Sequence, residues 1–195
     1  MNYRIQGFKS FADATLSLAD PVTVVTGRNG SGKSNLLEAV ALLGGISHGR
    51  RPLSEISDVG HGGKTEIRGG LSGSFRKSSD DEAPASMELS FTEPLWHRGG
   101  DLVYQLSISP DLGIHFERVY VAGELRFETQ PGQTKGLERT ADPHRFAVPT
   151  DESFLWLATS VNGAIAEQEK PQLGTLSVRL GSTYQVAPHP HAMRS

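Results

Sequence analysis

Eight residues constrain this chain more than any others. Gly27-Arg28-Asn29-Gly30-Ser31-Gly32-Lys33-Ser34 satisfies G-x-x-x-x-G-K-[ST], the Walker A pattern. Glycines at these spacings let the backbone wrap tightly, so that successive N–H groups converge on phosphate oxygens. The following helix aims its N-terminus at the same point. In such a loop Lys33 reaches the β- and γ-phosphates, and the Ser34 hydroxyl ligates Mg²⁺. The flanks agree with this reading. Val22, Val24 and Val25 form a short apolar, β-branched run that reads as a buried strand entering the loop. After the loop, Leu36, Val40 and Leu43 recur at helical spacing, with Leu37 and Ala41 widening the stripe. Gly44-Gly45 is the expected stop of that helix.

Two short β-patterns precede the loop. In residues 2–6, Tyr3 and Ile5 share one face, and Gly7 is expected to break the strand. In residues 13–18, Ala14, Leu16 and Leu18 alternate with Thr15 and Ser17. Asp20-Pro21 then turns the chain toward the loop. A length of 195 residues permits one core, while 36% hydrophobic content with 22 Gly and 11 Pro implies much loop. The formal charge of −3 supplies no global drive toward nucleic acid. Without cysteine there is no disulfide, thiolate metal site or cysteine nucleophile. The first residues lack the apolar core of a signal peptide, and no run reaches membrane-spanning length, so the expected location is cytoplasmic.

The order strand, Phe8-Lys9-Ser10-Phe11 turn, strand, then the loop continued by Asn35-Leu36-Leu37-Glu38, resembles the N-terminal part of an ABC-type ATPase head. Within that class it is most similar to the SMC/RecF-like group of chromosome-maintenance and repair ATPases and the AAA-family predicted ATPases related to them. The resemblance implies an α/β P-loop NTPase: an ABC-type half-head with an antiparallel β-subdomain and a short C-terminal helical part. It implies ATP and Mg²⁺ as ligands, and a second ATPase half or a homodimer partner across the nucleotide. It brings Lys9 and Ser10 near the adenine or ribose, and Asn29 near the γ-phosphate. Gly27, Arg28, Gly30, Ser31, Gly32, Lys33, Ser34 and Asn35 complete the nucleotide-binding set.

One domain in four stretches is expected: residues 1–46 with the strands, loop and helix; 47–85, a polar connection; 86–129, an antiparallel insert; and 130–195, a loop, a helical segment and a tail. In the connection, Leu71-Ser72-Gly73-Ser74 superficially resembles an ABC signature, but no helix and Walker B strand follow it. Arg50, Arg51, Arg68, Arg76 and Lys77 are interleaved with acids and glycines, the composition of a solvated loop; nucleic acid is their alternative partner. In the insert, Met87, Leu89 and Phe91 alternate, as do Tyr104, Leu106 and Ile108, then Ile114 with Phe116 and Leu125 with Phe127. Hairpin turns are expected at Pro110-Asp111 with Gly113 and at Ala122-Gly123. In the last stretch, Phe154, Leu157, Ala158, Val161 and Ile165 hold helical spacing, and Leu173, Leu176 and Leu180 suggest a second helix. His97 and His115 have no partner at metal-ligand spacing, and His189 and His191 flank a proline in a polar tail. For the glutamine that an ABC head directs at Mg²⁺ and the attacking water, Gln130, Gln133 and Gln168 are the candidates.

Hydrolysis also needs a carboxylate at the end of a buried strand, and no stretch reads as four apolar residues followed by Asp and Glu. No catalytic residue is therefore assigned. The chain is expected to bind Mg-ATP as the N-terminal half of such a head, with Walker B and signature residues supplied from elsewhere and negligible turnover alone. Two alternatives remain at this point: a small P-loop kinase, and a truncated, non-catalytic paralogue acting as a scaffold. A GTPase is disfavoured because no N-K-x-D segment is present.

Overall fold

A computed structural model of the protein describes residues 1–18, 22–47, 67–77, 86–95, 99–111, 113–130, 133–136, 153–155 and 170–185. Seven strands, β1 (Asn2–Phe8), β2 (Phe11–Ser17), β3 (Met87–Pro94), β4 (Asp101–Ile108), β5 (Ile114–Val121), β6 (Glu124–Gln130) and β7 (Gln133–Gly136), form one sheet. Their order is β2-β1-β3-β4-β5-β6-β7, and every pairing is antiparallel. The two N-terminal strands thus join the later meander directly, with Tyr3 opposite Phe91 and Ile5 opposite Leu89. Helix α1 (Lys33–Ser47) packs against helix α2 (Lys170–Gln185) and lies on β1 and β3.

Period-two patterning builds the inner face. Tyr3, Ile5, Met87, Leu89, Phe91, Tyr104, Leu106 and Ile108 are all buried, and Tyr3 meets Phe91 edge-on with ring centroids 5.1 Å apart. Two β-bulges alter the expected alternation further along. The β4–β5 register shifts at Ile108, which pairs with Ile114, while Ser107 pairs with Phe116. His115 is the extra residue, so Phe116 is only half-buried and Glu117, Val119 and Val121 turn inward. The second shift, opposite Val119 and Tyr120, inserts Arg126; Phe127 is buried while Leu125 is 48% exposed. The hairpin at Ala122-Gly123 is as expected, with both residues at positive φ (52° and 82°), the conformation that a two-residue turn requires. Ser109 N–H closes the other turn on Gly113 O at 2.9 Å.

Four expectations about local structure are corrected. β1 runs through Gly7 to Phe8 instead of ending there. α1 continues past Gly44-Gly45 to Ser47, because Ile46 beyond them is buried (2% exposed) and its burial offsets the roughly 1 kcal/mol that each helical glycine costs. Within the 47–85 connection, residues 67–77 belong to the body of the domain: Ile67, Leu71 and Phe75 enter the core. Phe75 bridges Phe8, Lys9 N–H donates to Ser74 O at 2.7 Å, and Arg76 N–H donates to Gly7 O at 2.8 Å. Ser72–Ser74 is a single 3-10 turn, in keeping with its exclusion as a signature helix. Finally, Val22 and Val24 are 67% and 77% exposed, and residues 22–26 belong to no strand of the sheet.

The same core takes in residues 153–155, with Phe154 and Leu155 buried. Phe154 packs edge-on against Phe127 with centroids 5.0 Å apart. Leu173, Leu176 and Leu180 of α2 are buried, as their spacing predicts. Leu157, Ala158, Val161 and Ile165 lie outside the described residues.

Candidate nucleotide-binding site

The loop at residues 27–34 leads straight into α1, whose first helical residue is Lys33. Ser31 N–H donates to Arg28 O at 3.2 Å, and Leu36 N–H donates to Gly32 O at 2.9 Å, so the loop closes onto the first helical turn. Gly30 and Gly32 take φ of +82° and +90°. Gly32 is required twice over, since a Cβ there would stand 2.9 Å from Phe11 Cζ and 3.2 Å from Ser10 Oγ. Gly27, Arg28, Asn29, Gly30, Ser31 and Ser34 are exposed, whereas Lys33 and Asn35 are half-buried. The Lys33 ammonium donates to Gly27 O at 2.7 Å and Arg28 O at 2.6 Å, which holds it over the loop.

The β1–β2 turn forms the wall beside this loop. Ser10 Oγ accepts a hydrogen bond from Asn35 Nδ2 at 3.0 Å. Lys9, at a positive φ of 47°, pairs with Glu38 Oε2 and donates to Arg68 O at 2.9 Å. Glu38 Oε1 in turn accepts from Arg68 Nε at 2.6 Å, and Arg68 Nη2 lies 3.4 Å from Asn35 Oδ1. Ser10 therefore borders the phosphate loop, while the Lys9 ammonium is directed at α1 and the 67–77 segment. Phe11, Glu38 and Arg68 were not assigned to the site from sequence. The helical spacing of Asn35 and Glu38 is a signal for a shared face, but nothing local ties Arg68, some thirty residues on, to the same carboxylate.

The donor set suits a magnesium nucleotide. Exposed loop backbone at a helix N-terminus suits phosphate, and the exposed Ser34 hydroxyl is a hard oxygen of the kind that suits Mg²⁺. Among the described residues, no group of three His, Cys, Asp or Glu side chains forms a metal site. Gln130 and Gln133 face each other as a backbone pair where β6 meets β7. Gln168, His97, His189, His191, Arg50 and Arg51 lie outside the described residues, and His115 is exposed on the β5 bulge.

Glu117 is a second polar centre, which the sequence patterning missed. Its carboxylate lies inside the sheet and accepts hydrogen bonds from Tyr104 Oη (2.8 Å), Ser153 Oγ (2.8 Å), Phe154 N–H (2.7 Å) and Leu155 N–H (3.0 Å). Burial raises its pKa above the usual carboxylate value, against the opposing pull of these donors. Burial also pushes the Tyr104 hydroxyl well above its normal range, with the Glu117 charge adding to the effect. This carboxylate ties the sheet to the chain at residues 153–155.

A sheet-rich α/β protein whose glycine loop opens directly into a helix is a P-loop NTPase in class. A family model described as an AAA domain matches residues 4–129. Residues of this chain are 41% identical over 71 positions to the DNA replication and repair protein RecF of Rhizobium etli, covering 36% of the chain and 19% of that protein. They are 36% identical over 110 positions to the chromosome partition protein Smc of Gloeobacter violaceus, covering 54% of the chain and 9% of that protein. The RecF of Gloeobacter violaceus is 50% identical over 40 positions, 20% of the chain and 11% of that protein. The chain belongs to the AAA domain family, and it is similar to RecF and Smc proteins over part of its length. It spans about a fifth or less of the length of these relatives. Among the described residues, no helix is long and apolar enough to cross a membrane.

Proposed function

We propose that this chain is the Mg-ATP-binding N-terminal part of an SMC/RecF-like ATPase, working in the cytoplasm. The observation that carries the reading is the seating of Gly32 against Ser10 and Phe11, which leaves the loop backbone open at the start of α1. Backbone N–H groups of Gly30, Ser31, Gly32 and Lys33 would hold the phosphates, with Gly27, Arg28 and Asn29 forming the outer wall. Lys33 exchanges its carbonyl partners for β- and γ-phosphate oxygens, a charge-assisted contact stronger than the neutral one it replaces. Ser34 would ligate Mg²⁺, which supplies neutralisation of phosphate charge when bound, and Asn35 and Ser10 would brace the loop from the side. Gln130 or Gln133 remains the proposed second Mg²⁺ contact.

Hydrolysis on this reading requires carboxylates that another half provides. The exposed Val22 and Val24, which lie outside the sheet, are consistent with a further strand from that half: an apolar β-branched run beside the loop is suited to pairing. A second ATPase half or a homodimer partner is the proposed occupant across the nucleotide, and nucleic acid is a proposed partner of the assembled protein.

The test is calorimetric titration with Mg-ATP of the native chain and of Lys33→Ala. Saturable binding that Lys33→Ala weakens at least tenfold supports the reading, and equal binding by both proteins defeats it. Turnover by the isolated chain should be negligible. Lys33-dependent hydrolysis at ordinary enzyme rates would mean that a catalytic carboxylate lies within this sequence, and phosphate transfer to a small alcohol would favour a kinase.

A further inference from the structure

We propose that β2 is an association edge: a second copy of this chain docks there, its β2 antiparallel to the first, with the two-fold axis at Ala14.

The sheet has two edges, and they differ. β7 is four residues long and includes Lys135; shortness and lysine are both features by which natural sheets discourage edge pairing. β2 is seven residues long, contains neither lysine nor proline, and pairs with β1 alone among the described residues. The register assigns its faces. Ala14 lies opposite Ile5 and Leu16 opposite Tyr3, both core residues, so Ala12, Ala14 and Leu16 follow the core face. Asp13, Thr15 and Ser17 lie opposite Gln6, Arg4 and Asn2 on the outer face. The apolar row ends unfinished at this edge: Ala14 and Leu16 are half-buried and Ala12 is exposed.

A second copy continues that row, because β2 is complementary to itself. Ala14 is the middle residue of the strand, so an axis there pairs its whole length. On the core side Ala12 of each copy meets Leu16 of the other, small against large. On the outer side Asp13 of each copy meets Thr15 of the other. Moving the axis to Asp13 would set two carboxylates opposite each other, and pairing Asp13 with Ala14 would mix the two faces.

The charge balance favours the same occupant. Asp13 is the only charged residue of β2, and Arg4 of its own copy already neutralises it, donating to Oδ1 at 3.1 Å and to Oδ2 at 2.7 Å. Gln6 Nε2 adds a longer contact to Oδ2 at 3.4 Å. A carboxylate with donors on one side can still accept from the Thr15 hydroxyl across the joint. Main-chain hydrogen bonds along the strand supply the affinity, and these side chains set the register. The joint uses no residue of the 27–34 loop, so it is separate from a partner across the nucleotide.

The experiment is disulfide trapping and sedimentation of the full chain, which has no cysteine of its own. Ala14→Cys should give a covalent dimer under mild oxidation, because opposed Cα atoms of an antiparallel pair stand about 4.5–5.5 Å apart, within disulfide range. Ser17→Cys should not, since the register sets it opposite Phe11. Sedimentation of the native chain should show a reversible dimer. Thr15→Glu brings like charges together twice per dimer and should weaken it about tenfold, whereas Thr15→Lys should keep or tighten it. Thr15 is exposed, so both variants should fold, as thermal unfolding checks. Lys33→Ala should leave the dimer intact with or without Mg-ATP. A monomeric native chain, equal trapping at residues 14 and 17, or equal weakening by glutamate and lysine would each overturn the proposal. A dimer that needs Mg-ATP and is lost in Lys33→Ala would also overturn it, while supporting the partner across the nucleotide.

Discussion

Tyr104 on β4 donates its hydroxyl to Glu117 on β5 at 2.8 Å, across two adjacent strands of the sheet and inside the core. The same carboxylate accepts from the backbone N–H groups of Phe154 and Leu155, so a single buried acid fastens residues 153–155 to the sheet. An acid with this many donors is stabilising only while each donor keeps its acceptor.

Replacing Glu117 with Gln turns one acceptor oxygen into a donor that faces donors. The expected cost is about 2 kcal/mol, a fall of roughly 4–8 °C in the unfolding midpoint for a domain of this size. The pH dependence has a definite sign. Burial raises the folded-state pKa above the ordinary 4.5, so the stabilising contribution is fully present below 4.5 and is lost as pH rises through the folded value. The stability gap between native protein and Glu117→Gln should therefore narrow as pH rises above 4.5, as followed by urea unfolding at a series of pH values. A gap that widens over that range would contradict the assignment.

Gly32→Ala should disable the loop without altering a charge. The added Cβ meets Phe11 and Ser10 at 2.9 and 3.2 Å, and φ of +90° is strained for alanine. Mg-ATP affinity should drop at least tenfold, and the unfolding midpoint should fall as well. Gly30→Ala has open space around its Cβ and incurs only the backbone strain, so it should be the milder variant. The reverse ranking in a side-by-side titration would refute the packing role given to Gly32.

Leu71 is completely buried, so Leu71→Ala should destabilise the domain by about 3 kcal/mol, within the usual range for a core leucine. Chemical denaturation measures it directly. The neighbouring Ser72 is exposed, and Ser72→Ala should change stability by less than about 0.5 kcal/mol. This contrast separates a core anchor from a signature motif.

Charging the open valines tests the surface beside the loop. The double variant Val22→Lys, Val24→Lys should keep the stability of the isolated chain within about 0.5 kcal/mol, because neither side chain is buried. Self-association measured by light scattering should decrease, since exposed apolar strand-forming segments promote it. A large stability loss would mean that these valines belong to the folded core.

Much of the fold follows from local patterns. The alternation of Met87, Leu89 and Phe91, the turn at Ala122-Gly123 and the spacing of Leu173, Leu176 and Leu180 each depend on a few neighbouring residues, and each appears where the pattern predicts. The failures have non-local causes. A bulge reverses inside and outside without any change in composition, which is why Glu117 is buried and Phe116 is not. Gly44-Gly45 reads as a stop, but the packing of α1 on α2 overrides it. Val22 and Val24 carry the composition of a buried strand, yet burial depends on a neighbouring strand that local composition cannot supply.

The sequence by itself determined the phosphate loop, because close backbone approach, positive φ and a following helix are all demanded within residues 27–34. Through the same loop and its flanks it also pointed to the family. Only the tertiary structure decided what surrounds that loop. Lys9, Glu38 and Arg68 meet because the β1–β2 turn, α1 and the 67–77 segment pack together, and Tyr104, Glu117 and Ser153 meet because a bulge turns one carboxylate inward. A charge's partner is set by distance in space, whereas a loop's shape is set by its own few dihedral angles.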